Sequence, residues 1–352
     1  MYKKFFMGIA AVAALTLVSC SSDDLNSLSD NSSKNEAISF DGYLGRSAVA
    51  VNGTRGSVLD KTALQGENGG FGVFGNYKNA DDQEFGSNWF DNVQVKYSSK
   101  DTKWTYSPLM YWLPQGHIDF LAYAPYDSKY NKKVTKDNQK LDFTVSSTIT
   151  TQKDLLWAIT TNQTMANNSG TNKVNFKFAH ALSRLGYTVK LNNAYTGTTI
   201  TLKKITLAGS EDGTKNAFYT TGTIDLSKTS STDLWTISTP DAKQKFDWFS
   251  GTQTLATTDY KNPDANYLFV IPQKFSAPAT DKLYVIVEYT IEGYNGVTTP
   301  MTNKVYKQLE KNFEQGRAYT INLNIGLTPI EFNAEVNDWN PKNGESIDAS
   351  WN

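Results

Sequence analysis

The sequence of 352 residues is poorest in cysteine and histidine, with one cysteine and two histidines. A single cysteine, Cys20, excludes an intramolecular disulfide and any metal cluster built from several cysteines. The histidines, His117 and His180, lack the paired helical spacing of zinc hydrolases. Both fall in strand-like segments, so we expect structural roles for them rather than a Ser-His-Asp site. The sequence therefore predicts that the protein is not an enzyme and needs no cofactor.

Clusters of acidic residues with metal-binding spacing are also missing. Two acidic pairs, Asp23–Asp24 and Asp81–Asp82, do not follow the spacing of an EF-hand loop. We expect both pairs to be solvated, and a calcium site is the alternative interpretation. No metal ligand is therefore predicted.

Neither an excess of charge nor a long hydrophobic run is present. Without the signal segment described below, 32 basic and 35 acidic residues leave a formal charge of −3. A near-neutral balance argues against nucleic acid as a partner, because nucleic-acid binding needs basic clusters. The one apolar run, Phe5–Val18, is shorter than the roughly 20 residues of a transmembrane helix.

The N-terminus instead has the layout of a bacterial lipoprotein signal peptide. Lys3 and Lys4 precede the apolar run, and Leu17–Cys20 (LVSC) forms a lipobox. We predict a signal peptide at 1–19 and lipidation of Cys20, with several acyl chains that hold the protein durably on a membrane. An ordinary signal peptide with an incidental cysteine is the alternative.

The segment that follows Cys20 is rich in Ser, Asn and Asp and is predicted to be a flexible tether over 20–35. Its start, CSSDD, resembles the surface-export signal of Bacteroidetes lipoproteins. This resemblance implies a lipid-anchored position on the outer face of the cell outer membrane. A tether without an address signal is the other interpretation.

The rest of the chain reads as many short strands separated by Gly, Asn, Asp and Pro. Asn172–Ala179 illustrates the pattern, because Val174, Phe176 and Phe178 alternate with polar residues. Leu185–Leu191 and Thr198–Leu207 suggest a hairpin. Frequent short strands predict an all-β sandwich or barrel, and a polar linker at 167–172 suggests a domain boundary.

Three other patterns leave alternatives open. Val305, Leu309 and Phe313 fit either a helix or a strand end. The glycines of GFGVFG at 70–75 match a dinucleotide fingerprint but lie in a strand-like run, so an edge or bulge is the better interpretation. Aromatic residues could form a sugar-stacking platform or, more simply, a core; they are Trp89, Phe90, Trp104, Trp112, Trp235 and Trp248.

Several blocks in order resemble the fimbrillin family of Bacteroidales. The most specific pair is FKFAHALSRLGYTV at 176–189 and EVNDW at 335–339, behind a lipobox. The other blocks are AISF at 37–40, FGVFGNY at 71–77, YWLPQGHIDFLAYAP at 111–125, DLLWA at 154–158, LFVIPQ at 268–273 and GRAYTINLNI at 316–325. Together these blocks cover nearly all of the chain after the tether.

The resemblance implies two tandem transthyretin-like Greek-key β-sandwich domains, here 36–170 and 171–352. It implies a structural or accessory fimbrial subunit that supports adhesion and is exported as a lipoprotein. A protease would cut after a basic residue and release the first strand, and a strand from another fimbrial subunit would replace it. A monomeric surface lipoprotein that binds glycan or host protein through exposed aromatics is the rival interpretation.

The resemblance also implies positions for these events. Arg55, and as a second choice Arg46, follow the first strand in a polar segment that a protease can reach. The donor strand would be the C-terminal tail, where Ile347, Ala349 and Trp351 alternate with polar residues. An uncut anchor and a frayed polar tail are the respective alternatives.

Overall fold

The computed structural model describes most of the chain between residues 37 and 345. The described residues are 37–44, 61–66, 70–79, 90–135, 137–168, 173–228, 234–237, 240, 242–263, 266–327, 331–338 and 344–345. Across these ranges the chain forms β-strands almost throughout, with one short helix, α1 (Lys61–Gln65), and a few single 3₁₀ turns. The predicted all-β class is confirmed. Among the helices of these ranges, none has the length and apolar character needed to cross a membrane.

The first sheet has seven strands. Their spatial order is β1 (Ser39–Leu44), β8 (Lys173–His180), β7 (Leu156–Gln163), β5 (His117–Ala124), β2 (Phe71–Lys78), β3 (Phe90–Ser98) and β4 (Lys103–Thr105). Neighbouring strands are antiparallel except β1 and β8, which run parallel. On β8, buried and exposed residues alternate strictly, as the sequence predicted. β8 follows the polar linker at 167–172 and yet belongs to this first sheet.

Two further sheets lie in the C-terminal half. One has the order β15 (Phe246–Thr254), β10 (Thr199–Ala208), β18 (Tyr284–Glu292) and β19 (Met301–Gln308). The other has the order β16 (Tyr260–Lys261), β9 (Ser183–Leu191), β20 (Arg317–Ile325), β21 (Glu331–Asp338) and β22 (Gly344–Glu345), and β17 (Leu268–Val270) also pairs with β9. Apolar side chains from both sheets form one buried cluster, so the sheets pack face to face.

Two small sheets complete the fold. β6 (Lys140–Thr144) pairs with β12 (Thr221–Asp225), and β12 pairs with β13 (Trp235–Thr236). β11 (Phe218–Tyr219) pairs with β14 (Lys243–Gln244). Because β6 and β12 come from different halves of the chain, their pairing ties the halves together.

Three buried apolar clusters underlie these sheets. The first lines one face of the seven-stranded sheet, and Phe71, Phe120 and Phe176 are among its members. The second lies between the two C-terminal sheets. The third takes residues from both halves, including Tyr123 and Phe269. One of the three clusters thus joins the two halves of the chain.

One local prediction was wrong, and one open alternative is decided in favour of a strand end. β9 and β10 do not form a hairpin, because β9 pairs with β20 whereas β10 pairs with β15 and β18. Each strand lies in a different sheet, and both bury their apolar faces in the same core. The segment with Val305, Leu309 and Phe313 is not a helix, since Val305 lies in β19 and Phe313 bridges to Gln273.

The glycine-rich strand β2 is a bulged strand in the interior of the sheet. Its register with β3 shifts between Val73 and Gly75. A β-carbon at Gly72 would lie 2.3 Å from a ring atom of Tyr123, and one at Gly75 would lie 2.8 Å from the Phe90 ring. These glycines therefore make room for aromatic side chains of the core. Of the two predicted alternatives, a bulge is confirmed, whereas an edge strand is excluded because β2 lies between β5 and β3.

Candidate functional site: the edge strand β1

The strand β1 occupies one end of the seven-stranded sheet and runs parallel to β8. Its register pairs Ser39 with Lys173 and Leu44 with Phe178. Ile38 and Phe40 are buried, whereas Tyr43 is exposed. This alternation follows from the two-residue period of a strand with one face on the core. β1 therefore presents an apolar face inward and a polar face outward.

Phe40 is the main anchor of β1. Its ring centroid lies 5.3 to 5.7 Å from those of four other aromatic residues, Phe90, Tyr106, Phe120 and Phe176. The side chain is 2% exposed. Burial of a phenylalanine contributes about 1.5 to 3 kcal/mol, and well-oriented aromatic pairs add to this. Removal of β1 would therefore open a large aromatic pocket.

The next inward position, Gly42, lies at a constriction. A β-carbon there would be 3.2 Å from Phe178 Cε2 and 3.2 Å from Phe71 Cε1. The two rings are buried and their centroids are 5.2 Å apart. A methyl group fits this place only if the rings move by a few tenths of an ångström. We call the aromatic pocket and this constriction together the β1 slot, lined by Phe71, Phe90, Tyr106, Phe120, Phe176 and Phe178.

The start of β1 is held from its second side by the segment 106–111. The Ile38 amide donates to the Met110 carbonyl at 2.8 Å, and the Tyr106 hydroxyl donates to the Ile38 carbonyl at 2.6 Å. Ala37 forms an antiparallel bridge with Tyr111. Burial raises the pKa of Tyr106 to about 12, so the phenol keeps the proton that it donates. β1 thus lies between β8 on one side and this segment on the other.

The predicted processing arginines follow β1 in the sequence. Arg46 and Arg55 lie outside the described residues, beyond the end of β1 at Leu44. The chain has two other arginines, Arg184 in β9 and Arg317 in β20. Arg184 stacks over the Tyr267 ring at 4.4 Å, and both strands pair along their length with each other. A protease needs an extended, unpaired backbone, so β9 and β20 are poor substrates.

The remaining predicted site residues also lie outside the described part of the chain. They are Cys20, the lipidation residue, and Ile347, Ala349 and Trp351 of the tail. The last described strand before the tail is β22, which pairs with β21. Lipidation of Cys20 and the role of the tail as donor strand therefore stay predictions from the sequence.

The two histidines occupy separate places. His117 opens β5 and is half-buried, while His180 ends β8 and is buried. His180 Nδ1 lies 2.8 Å from Asp154 Oδ2, and both side chains are almost fully buried. Such a buried contact orients a strand end. Within the described ranges, no group of three or more metal-ligating side chains comes together.

The tryptophans contribute mainly to packing. Trp104, Trp112 and Trp248 are buried, as is Phe90, and Trp235 is half-buried with its Nε1–H donating to the Ala181 carbonyl. Trp89 lies outside the described residues. The core interpretation is therefore correct for the buried members. Among the residues that the structure describes, the exposed large aromatics are tyrosines, namely Tyr43, Tyr111, Tyr294 and Tyr306.

Sequence reasoning missed two parts of the site. Nothing in the spacing identified Tyr106 as the group that caps the start of β1, because Tyr106 and Ile38 are 68 positions apart in sequence. The narrowing at Gly42 was also missed. A glycine inside an alternating strand is a signal of close approach, and SFDGY at 39–43 carries it.

Comparisons with known proteins agree with one another. The model of a family described as fimbrillin-like matches residues 54–339. The fimbrium subunit Fim1C of Phocaeicola vulgatus is 25% identical, and the alignment covers 94% of each chain.

Solved structures also have this fold. A fimbrial protein from Bacteroides vulgatus has a TM-score of 0.63 at 22% identity, and the match covers 87% of this chain and 100% of that one. A protein proposed to act in cell adhesion, from Bacteroides ovatus, has a TM-score of 0.52 at 15% identity, with 87% and 98% covered. At these identities the structural matches speak for the fold alone.

Proposed function

The chain belongs to the fimbrillin-like family, and from this premise we propose that it is a structural or accessory subunit of a cell-surface fimbria. It is exported as a lipoprotein through Cys20. Cleavage after Arg55 or Arg46 then removes the N-terminal segment together with β1. A strand of another subunit takes the vacated β1 slot, and the resulting polymer supports adhesion without catalysis.

The position of β1 is the observation that carries this proposal. β1 is an end strand, precedes both candidate arginines and fills a deep apolar slot. A cut after either arginine would separate β1 from the sheet that it completes. The exposed sheet edge and the empty aromatic pocket would then favour a donated strand, because unpaired edges and apolar grooves bind extended chains.

The proposal extends to architecture and location. The two face-to-face sheets of the C-terminal half and their shared core support a sandwich there, and we propose two transthyretin-like sandwich domains, for which the sequence alone indicates the bounds 36–170 and 171–352. The pairing of β8 with β1 and β7 favours moving that boundary to just after His180. Before processing, the lipid holds the protein on the outer face of the outer membrane, and afterwards the protein is part of the fimbrium.

A second candidate is a monomeric surface lipoprotein that binds glycan or host protein. The exposed Tyr294 and Tyr306 favour it, because tyrosines at a surface can stack on sugars. The two candidates differ in the fate of residues 20–55. A binder keeps them, whereas a polymerising subunit loses them.

N-terminal sequencing of the protein from the native cell surface tests the proposal. We expect the mature protein to start at Gly56 or Ser47. We also expect unheated samples to give a ladder of SDS-resistant polymer bands on a gel. Arg55→Ala, Arg46→Ala and the double variant should identify the cut, and Lys61→Ala is a control in the neighbouring basic position. A lipidated Cys20 terminus on a monomer would contradict the proposal and support the second candidate.

A further inference from the structure

The β1 slot is uneven along its length, and this limits which strand can fill it. Inward positions hold Ile38, Phe40 and Gly42 in turn. The Phe40 position is a broad aromatic pocket, whereas the Gly42 position is closed by the rings of Phe71 and Phe178. A replacement strand must therefore carry a small residue at the constriction.

The C-terminal tail contains one such residue in the required phase. Its alternating positions are Ile347, Ala349 and Trp351, and Ala349 is the small one. Alanine has a single β-carbon, which the constriction admits after a slight shift of the rings. Isoleucine or tryptophan would need several more carbon atoms in a space that is already filled.

We propose that Ala349 of a second copy of the chain takes the position of Gly42 in the β1 slot and thereby sets the register of strand exchange. This inference rests on the proposed function. It holds for either direction of the inserted strand, because Ile347 and Trp351 flank Ala349 symmetrically. One of these large residues then faces the Phe40 pocket.

Other registers are disfavoured for different reasons. A shift by one residue turns the other face of the strand inward and brings Asp348 or Ser350 to the constriction. Burial of an unpaired carboxylate or hydroxyl among phenylalanine rings is costly. A shift by two residues brings Ile347 or Trp351 to the constriction and overpacks it. With Ala349 at the constriction, Asp348 and Ser350 face outward, as Asp41 and Tyr43 do on β1.

A size series at position 349 tests the inference on the full chain with Cys20→Ser, cleaved with an arginine-specific protease. Ladder formation should be similar for alanine and Ala349→Gly, and should fall about tenfold or more for Ala349→Val and Ala349→Phe. Ser350→Phe adds the same bulk on the outward face and should leave ladder formation within about twofold of the parent. Phe178→Leu widens the constriction and should restore part of the loss in Ala349→Val, once its unfolding midpoint shows that it folds.

The outcomes separate this inference from the proposed function. If the cleaved parent chain forms no ladders, the proposed function fails, and the register inference fails with it. If the parent forms ladders and Ala349→Phe forms them equally well, only the register inference is wrong. Ladders that persist after deletion of 344–352 would also overturn it, because another strand must then be the donor.

Discussion

At the scale of single residues, one polar network outside the β1 slot has a defined dependence on pH. The Tyr219 hydroxyl donates to Asp281 Oδ2 at 2.9 Å, and Lys243 Nζ lies 2.6 Å from Asp281 Oδ1. The network joins β11 and β14 to the chain just before β18. Burial alone would raise the pKa of Asp281, but the hydrogen bonds from Lys243 and Tyr219 outweigh it, so that the pKa is lowered.

This network should contribute to stability only while Asp281 is ionised. Because the pKa is lower in the folded state, the contribution is complete above the unfolded value of 3.8 and is lost as the pH falls through the folded value. We expect Asp281→Asn to flatten the decline of the thermal midpoint as the pH falls below about 5. Lys243→Met should have a similar effect, since it removes a donor. If the thermal midpoint fell equally steeply with decreasing pH in the parent and in both variants, the network would not be the source of this pH dependence.

At the scale of elements, the stability of β1 in its sheet comes more from its buried side chains than from its backbone pairing. It is a six-residue strand with one regular strand partner, β8, and a short contact with the segment 106–111. Its inward face supplies Ile38 and Phe40 to the aromatic core. This arrangement is compatible with the strand exchange that we propose, since backbone pairing in a sheet is not sequence-specific.

Phe40→Ala should therefore destabilise the uncut chain strongly. We expect a loss of about 3 to 5 kcal/mol in the free energy of unfolding, because a buried aromatic ring leaves a cavity. Tyr43→Ala is the matched control on the outward face, with an expected change within about 0.5 kcal/mol. Urea unfolding followed by tryptophan fluorescence measures both. A small effect of Phe40→Ala would mean that β1 contributes little to the folded state.

At the scale of the described chain, the two halves share a cluster of buried residues. Tyr123 and Leu121 of β5 belong to it together with Leu226, which follows β12, and Phe269 of β17. The backbone pairing of β6 with β12 adds a direct connection. Because residues of both halves are buried in the same cluster, we expect the two halves to unfold together.

Leu226→Ala should accordingly weaken both halves. We expect a loss of about 2 to 5 kcal/mol and faster amide exchange in β2 and β5 as well as in β10 and β18. Leu109→Ala, at a site that is 56% exposed, is the control and should leave exchange unchanged. Hydrogen exchange with peptide-level mass spectrometry measures both variants. Faster exchange confined to one half would show that the halves unfold independently.

Local features of the sequence determined the all-β class and the faces of individual strands. Val174, Phe176 and Phe178 alternate with polar residues, and a period of two assigns a strand and its buried face without distant information. The family membership was likewise readable from ordered blocks such as those at 176–189 and 335–339. Signal peptide, lipidation and processing residues remain predictions from the same local patterns.

Only the tertiary structure decided which strands are neighbours and what shape the β1 slot has. The parallel pairing of β1 with β8, the separation of β9 from β10 and the joining of β6 to β12 bring together residues that are far apart in sequence. The constriction at Gly42 exists because Phe71 and Phe178 converge on it from two other strands. Backbone pairing allows many registers and partners, so the choice among them comes from packing across the whole core.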